Sequence, residues 1–194
     1  MITIVNYENS NSQEVAEFLK QLTEDYIIAD NEIDICRADK IIFPGKGDAV
    51  SAMKKLHLLN LFTVLRIIKK PMMGIGLGMQ LMAEYSMEGN ISCLGIFPGT
   101  AVKFENGAAE TINEGMHPVK LYKESVLFSG IEPDATFYFN HSYFLPLSQL
   151  TTSTSKNKTE FTSSIEKNNS FGVQFHPERS GEAGLKLLKN FIEL

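Results

Sequence analysis

A chain of 194 residues with 43% hydrophobic content can bury one sizeable core and is too short for two comfortable domains, so residues 1–194 are read as a single domain. Its net charge of −5 and scattered lysines and arginines give no basic stripe, which excludes a nucleic-acid partner from the expectations. The apolar runs near Ile2, Ile41 and Met72 fall short of the roughly 20 residues needed to cross a bilayer, and the chain opens on a strand pattern instead of a basic leader. The expectation is a soluble, cytoplasmic protein with no membrane partner.

Ile2 to Val5 is a short β-branched run, and Val15, Phe18, Leu19 and Leu22 then recur at helical spacing. Tyr26 to Ile28 and Lys40 to Phe43 read as two further buried strands, the second ending in Pro44-Gly45-Lys46-Gly47. Ala49, Met53 and Leu56, then Leu61 to Ile68, mark helices before the next apolar run at Met72 to Ile75. A glycine-broken turn, Gly74-Ile75-Gly76-Leu77-Gly78, leads into a helix carrying Met79, Leu81 and Met82. Repeated strand-helix units of this length predict an α/β fold with a mostly parallel central sheet flanked by helices.

From Gly95 onward the pattern changes. Short strand-like runs at Gly95 to Phe104 and Pro118 to Phe128, broken by Gly and Pro, predict antiparallel edge strands. Residues 148–170, rich in Ser, Thr, Asn and Lys with Phe161 and Ile165 interspersed, read as hairpins with a polar outer face. Phe171 to Phe175 is a strand, and Gly184 to Phe191 an amphipathic helix. Cys36 and Cys93 have no CxxC or Cys/His ligand spacing, so neither a metal site nor a disulfide framework is expected. No cofactor motif appears.

Three segments carry candidate chemistry. The turn Gly74 to Gln80 has the shape of a strand-to-helix bend that presents a nucleophile, with glycines allowing a crowded backbone, and the N–H of Leu77 would face a developing oxyanion. In Gly172-Val173-Gln174-Phe175-His176-Pro177-Glu178, a histidine at a strand end is followed two residues later by a carboxylate able to hold its tautomer, as a general base requires. Pro44-Gly45-Lys46-Gly47 could turn its N–H groups inward, but lacks the spacing of a phosphate-binding P-loop.

These segments in this order, with Phe139-Asn140-His141-Ser142-Tyr143 between them, resemble the class I glutamine amidotransferases, whose fold is flavodoxin-like. More narrowly they resemble the glutaminase subunits of imidazole glycerol phosphate synthase from histidine biosynthesis. In that family a cysteine attacks the amide of L-glutamine, a histidine held by a glutamate moves the proton, and ammonia passes to a cyclase subunit in a heterodimer. The resemblance implies His176 as general base and Glu178 as its orienting carboxylate. It implies Lys46 and Leu77 as oxyanion-hole donors, and Gly47, Gln80, His141, Ser142 and Tyr143 as glutamine contacts.

The nucleophile position is Gly76. Glycine has no group that can attack a carbonyl, so the thioester route is closed, and the expectation is a pseudoenzyme; the alternative function is a non-catalytic glutamine-binding or regulatory partner module. Other departures accompany Gly76. Asn6-Tyr7-Glu8-Asn9-Ser10-Asn11 keeps only the tyrosine and last asparagine of the family's Asp-Tyr-Gly-x-Gly-Asn, and Gly115-Met116-His117-Pro118-Val119 replaces His-Met-Gly-Trp-Asn in the segment that meets the cyclase. Several erosions around one function favour natural loss over a single engineered change.

Overall fold

The computed structural model describes residues 1–7, 10–104 and 112–194; Glu8 and Asn9 of the first loop lie outside the described residues. The amino-terminal half runs β1 (Ile2–Val5), α1 (Ser12–Leu19), β2 (Tyr26–Ala29), α2 (Glu32–Arg37), β3 (Lys40–Gly45), α3 (Ala49–Leu58), α4 (Leu61–Ile67), β4 (Met72–Gly76) and α5 (Leu77–Leu81). Short strands follow: β5 (Ala83–Ser86), β6 (Ile91–Ser92), β7 (Phe97–Lys103), β8 (Asn113–Pro118), β9 (Lys120–Leu121), β10 (Thr136–His141) and β11 (Tyr143–Phe144). The chain then forms the hairpin β12 (Thr151–Asn157) and β13 (Thr159–Lys167), strand β14 (Ser170–Val173), a 3-10 turn Pro177–Arg179 and α6 (Gly181–Ile192).

The main sheet has eight strands in the order β2-β1-β3-β4-β14-β13-β12-β9. Strands β2, β1, β3, β4 and β14 are mutually parallel, and β13, β12 and β9 extend the sheet antiparallel. The central strands are buried on both faces, hence their near-continuous apolar runs. In β3, Ile41 and Phe43 join one core and Ile42 the other, as the two-residue period of a strand dictates. The first core gathers Ile35 of α2, Ala52, Met53 and Leu56 of α3, and Leu61 and Leu65 of α4. The second takes Val15 and Leu19 of α1 and Leu187, Leu188 and Phe191 of α6. Helices therefore cover both faces, as the sequence pattern predicts.

Two findings differ from the sequence reading. The short strands after Gly76 do not all join the main sheet: β11-β7-β5-β6 form a four-stranded sheet and β10-β8 a separate ribbon. Phe97 and Ala101 of β7 pack into the first core, while Phe137 and Phe139 of β10 fill the second. The hairpin β12–β13 also does not turn its hydroxyls to solvent. Thr151, Ser153, Thr162, Ser163 and Ser164 are all fully buried, and they pair across the strands, Thr151 with Thr162 at 2.8 Å and Ser153 with Ser163 at 2.7 Å. A hydroxyl both donates and accepts, so two facing rows satisfy each other without water, and a polar composition here marks an inward face.

Candidate active site

The parallel strands end at one edge of the sheet, and the side chains of interest converge there. At the end of β4 the chain bends sharply at Gly76, with φ 59° and ψ −119°, and enters α5 at Leu77. A positive φ of this kind favours glycine. An ideal Cβ on Gly76 would lie 3.1 Å from His176 Nε2 and 3.0 Å from the Gly45 carbonyl oxygen, so any side chain at the bend would point straight at the imidazole. Behind it, Gly78 lets α5 lie directly on β3, since a Cβ there would fall 1.9 Å from the Phe43 carbonyl oxygen.

His176 follows β14 and begins the turn Pro177–Arg179. Its backbone N–H donates to the Tyr138 carbonyl at 2.8 Å, and its carbonyl accepts from the Ser180 hydroxyl at 2.6 Å, whose oxygen in turn accepts from the Tyr138 N–H. On the ring, Nδ1 and Glu178 Oε1 are 2.8 Å apart. The carboxylate can only accept, which assigns the proton to Nδ1 and leaves Nε2 to face Gly76. Glu178 Oε1 also accepts from Asn11 Nδ2 at 2.9 Å, and the Glu178 side chain is 1% exposed. The imidazole is thus fixed through its backbone and through its far nitrogen, with the near nitrogen turned to the bend.

His141 has a different character. Its Nδ1 donates to the Tyr143 carbonyl at 2.8 Å, and its Nε2 accepts from Asn113 Nδ2 at 2.9 Å. It packs among Phe104, Phe139 and Phe161. Burial pushes its pKa down to about 4, against the opposing hydrogen bond to Tyr143, so the ring is neutral at physiological pH. Gln80 donates Nε2 to the same Tyr143 carbonyl at 2.8 Å and to Gln174 Oε1 at 3.0 Å. The Tyr143 carbonyl therefore anchors two side chains, and both brace the strap 141–143 against the sheet edge.

A histidine whose folded pKa is depressed stabilises the protein fully above its unfolded value of 6.5, and that contribution is lost as pH falls toward 4. We expect acidification from pH 7 to pH 4.5 to cost the unaltered chain about 2–3 kcal/mol more than a His141→Gln variant. Urea midpoints of the two proteins at both pH values check this, and parallel pH dependences would remove His141 as the cause.

A cavity of about 270 Å³ opens at this edge, and Gly45, Lys46, Gly47, Leu77, Gln80, His141, Ser142, Tyr143 and His176 all line it. The candidate residues from Lys46 to His176, distant in sequence, thus line one cavity, with Glu178 behind His176 and the Gly76 bend against the imidazole. Its size suits a single amino acid, at the small end of ligand pockets. Neither Cys36, which is exposed, nor Cys93, which is buried, lines it. Among the described residues no group of three or more His, Cys, Asp or Glu is placed to hold a metal ion, and no helix is long and apolar enough to cross a membrane.

A family model described as glutamine amidotransferase class-I matches residues 3–194. The chain belongs to the class I glutamine amidotransferases. The proteins named imidazole glycerol phosphate synthase subunit HisH from Bacteroides fragilis strain YCH46 and from Pasteurella multocida are similar to it throughout. The first is 36% identical, covering 100% of this chain and 99% of the relative, and the second 39%, covering 99% and 97%. The Mannheimia succiniciproducens protein of the same name is 44% identical over 80% of each chain. In fold, the chain resembles PurLQS from Thermotoga maritima, with a TM-score of 0.72 at 19% identity over 99% of this chain and 97% of that one. It also resembles a glutamine amidotransferase from Thermotoga maritima, with a TM-score of 0.68 at 15% identity over 99% and 80%.

The candidate site also holds residues to which sequence spacing alone gives no role. Asn11, which in sequence is no more than a retained family asparagine, reaches across 167 positions to Glu178; its own φ of 64° belongs to the left-handed region that asparagine tolerates. Tyr7, fully buried, donates its hydroxyl to the Pro44 carbonyl at 2.9 Å and so holds the turn that carries Lys46. Glu88 lines the cavity and its Oε2 accepts from the Ala49 N–H at 2.8 Å; burial raises its pKa. Arg179, ion-paired with Glu14, stands at the same rim. Nothing in the spacing of Glu88 from the motifs could have found it, because the fold alone brings it in, whereas Arg179 directly follows Glu178 in the chain.

Proposed function

We propose that this chain binds L-glutamine in the cavity above Gly76 as the amidotransferase subunit of an imidazole glycerol phosphate synthase, and that it does not split the amide by the covalent route. The observation that carries the reading is the pairing of a fully positioned His176–Glu178–Asn11 relay with a bend that has no side chain. The imidazole can accept a proton at Nε2, yet nothing at the bend supplies a nucleophile. Glu88 offers a counter-charge for the α-ammonium of an amino acid, Lys46 and Arg179 offer one for its carboxylate, and Leu77 and Lys46, which also line the cavity, offer backbone N–H donors for the side-chain carbonyl. A cyclase partner in a heterodimer then draws on free ammonia.

The completeness of the pocket without its nucleophile also favours a second reading, a regulatory module that reports glutamine to a protein partner. Titration calorimetry with glutamine, beside a glutamate-release assay, tests both. The expected result is saturable 1:1 binding with no glutamate formed; steady glutamate production by the unaltered chain would overturn the central claim, and absence of binding would overturn both readings. Sedimentation with a cyclase subunit separates them: a heterodimer selects the first and its absence the second.

A further inference from the structure

At the sheet edge remote from Gly76 lies a second cavity of about 300 Å³. Arg66, at the end of α4, Lys69 and Lys70, in the connection to β4, and Lys167, at the end of β13, all line it, beside Asn169. Among the described residues, no carboxylate lines it. Arg66, Lys69 and Lys70 form one short basic run in a chain of net charge −5, and the parallel pairing of β4 with β14 brings Lys167, roughly a hundred residues further on, beside them at the amino-terminal ends of both strands. Strand β4 runs from this cavity to the glutamine cavity, five residues or roughly 16 Å away.

Among the described residues, the hydrogen bonds of these cations go to neutral groups. Lys167 Nζ donates to the Ile96 carbonyl at 2.9 Å, Lys70 Nζ donates to the Cys36 carbonyl at 2.6 Å and to that of Ala38, and the Arg66 guanidinium lies over the Phe62 ring. Asp39 feels the charge of Lys70, but its carboxylate is held by the amino-terminal ammonium at 2.7 Å. Like charges converging on one concave wall repel, and field lines focus in such a recess. A compact anion with two or more charges relieves that repulsion, and Arg and Lys together suit phosphate oxygens through fork-like and point contacts.

We infer that this cavity is a binding site for a small multivalent phosphate, a diphosphate group or a phosphomonoester, separate from the glutamine site. The test is titration calorimetry of the full chain with pyrophosphate, and separately with ribose 5-phosphate and inorganic phosphate, at low ionic strength. Binding of pyrophosphate or the phosphomonoester that weakens at least tenfold in Lys69→Gln/Lys167→Gln is the expected result. Comparison of the three ligands tells a phosphorylated compound from free phosphate. A charge-reversed Lys69→Glu/Lys167→Glu pair, checked for an unchanged melting midpoint, is expected to abolish binding. Should that pair fail to fold, the glutamine-substituted pair decides alone. No heat with millimolar pyrophosphate, or undiminished affinity in the folded variants, would overturn the assignment.

Discussion

Gly76→Cys is expected to raise glutamate release over that of the unaltered chain by at least 10³, and by on the order of 10⁶ if the remaining machinery is intact. The magnitude follows from what loss of a nucleophile alone costs when its base and oxyanion donors stay in place. The geometry is ready: the new Cβ would stand 3.1 Å from His176 Nε2, so its sulfur would lie within reach of the base that must take its proton. The fit has a cost. The same Cβ approaches His176 Cε1 to 2.9 Å, so the ring must retreat by a few tenths of an ångström, and a side chain at φ 59° carries roughly 1–3 kcal/mol of backbone strain. The melting midpoint should therefore drop by about 2–4 °C for each kcal/mol. Glutamate release, measured with and without a cyclase subunit, checks the first expectation, and His176→Ala in the same background should return the rate to baseline. A folded variant that binds glutamine yet gains no activity would mean that the bend does not present its side chain to the substrate.

How much of this was readable beforehand depended on whether a residue's role was local. The strand-turn-helix at Gly76 and the His176–Glu178 spacing are set within a few residues, and both emerged intact as geometry. The parallel half of the sheet was equally legible, because strands buried on both faces must be apolar throughout. The serines and threonines of the β12–β13 hairpin misled, since hydroxyls that satisfy one another across two strands look in sequence like hydroxyls facing water. The short strands after Ala83 were recognisable as strands, but their assignment to separate sheets depends on which core each aromatic enters, as Phe97 and Phe139 show. Asn11 keeps a family position and Arg66, Lys69 and Lys70 form a short basic run, but Glu88 and Lys167 carry no local signal at all. Their partners lie across the fold, and only the closing of the parallel strands brings them together.

Gly78→Ala tests the architecture beneath the site and should have the largest effect on stability of any single methyl added there. α5 follows β4 without a loop, so its first turn must lie against the neighbouring strand β3, and the two backbones touch: a Cβ on Gly78 would sit 1.9 Å from the Phe43 carbonyl oxygen and 3.0 Å from its carbon. Both groups are backbone, and Phe43 is fully buried in the middle of the sheet, so no side chain can swing aside. Alanine normally favours a helix over glycine by about 1 kcal/mol, but that gain is small beside a forced separation of helix and strand. Overpacking in a filled core costs roughly 1–3 kcal/mol and sometimes more, and a backbone clash belongs at the upper end, about 3 kcal/mol or a fall of roughly 6–12 °C in Tm. The displacement would pass to Leu77 and Gly45, which line the cavity proposed to hold glutamine, so glutamine affinity should fall with the stability. Thermal unfolding and calorimetry on the same preparation check both. A variant as stable as the unaltered chain would show that α5 can move off β3 freely, and the rigid bend on which the placement of His176 against Gly76 depends would have to be abandoned.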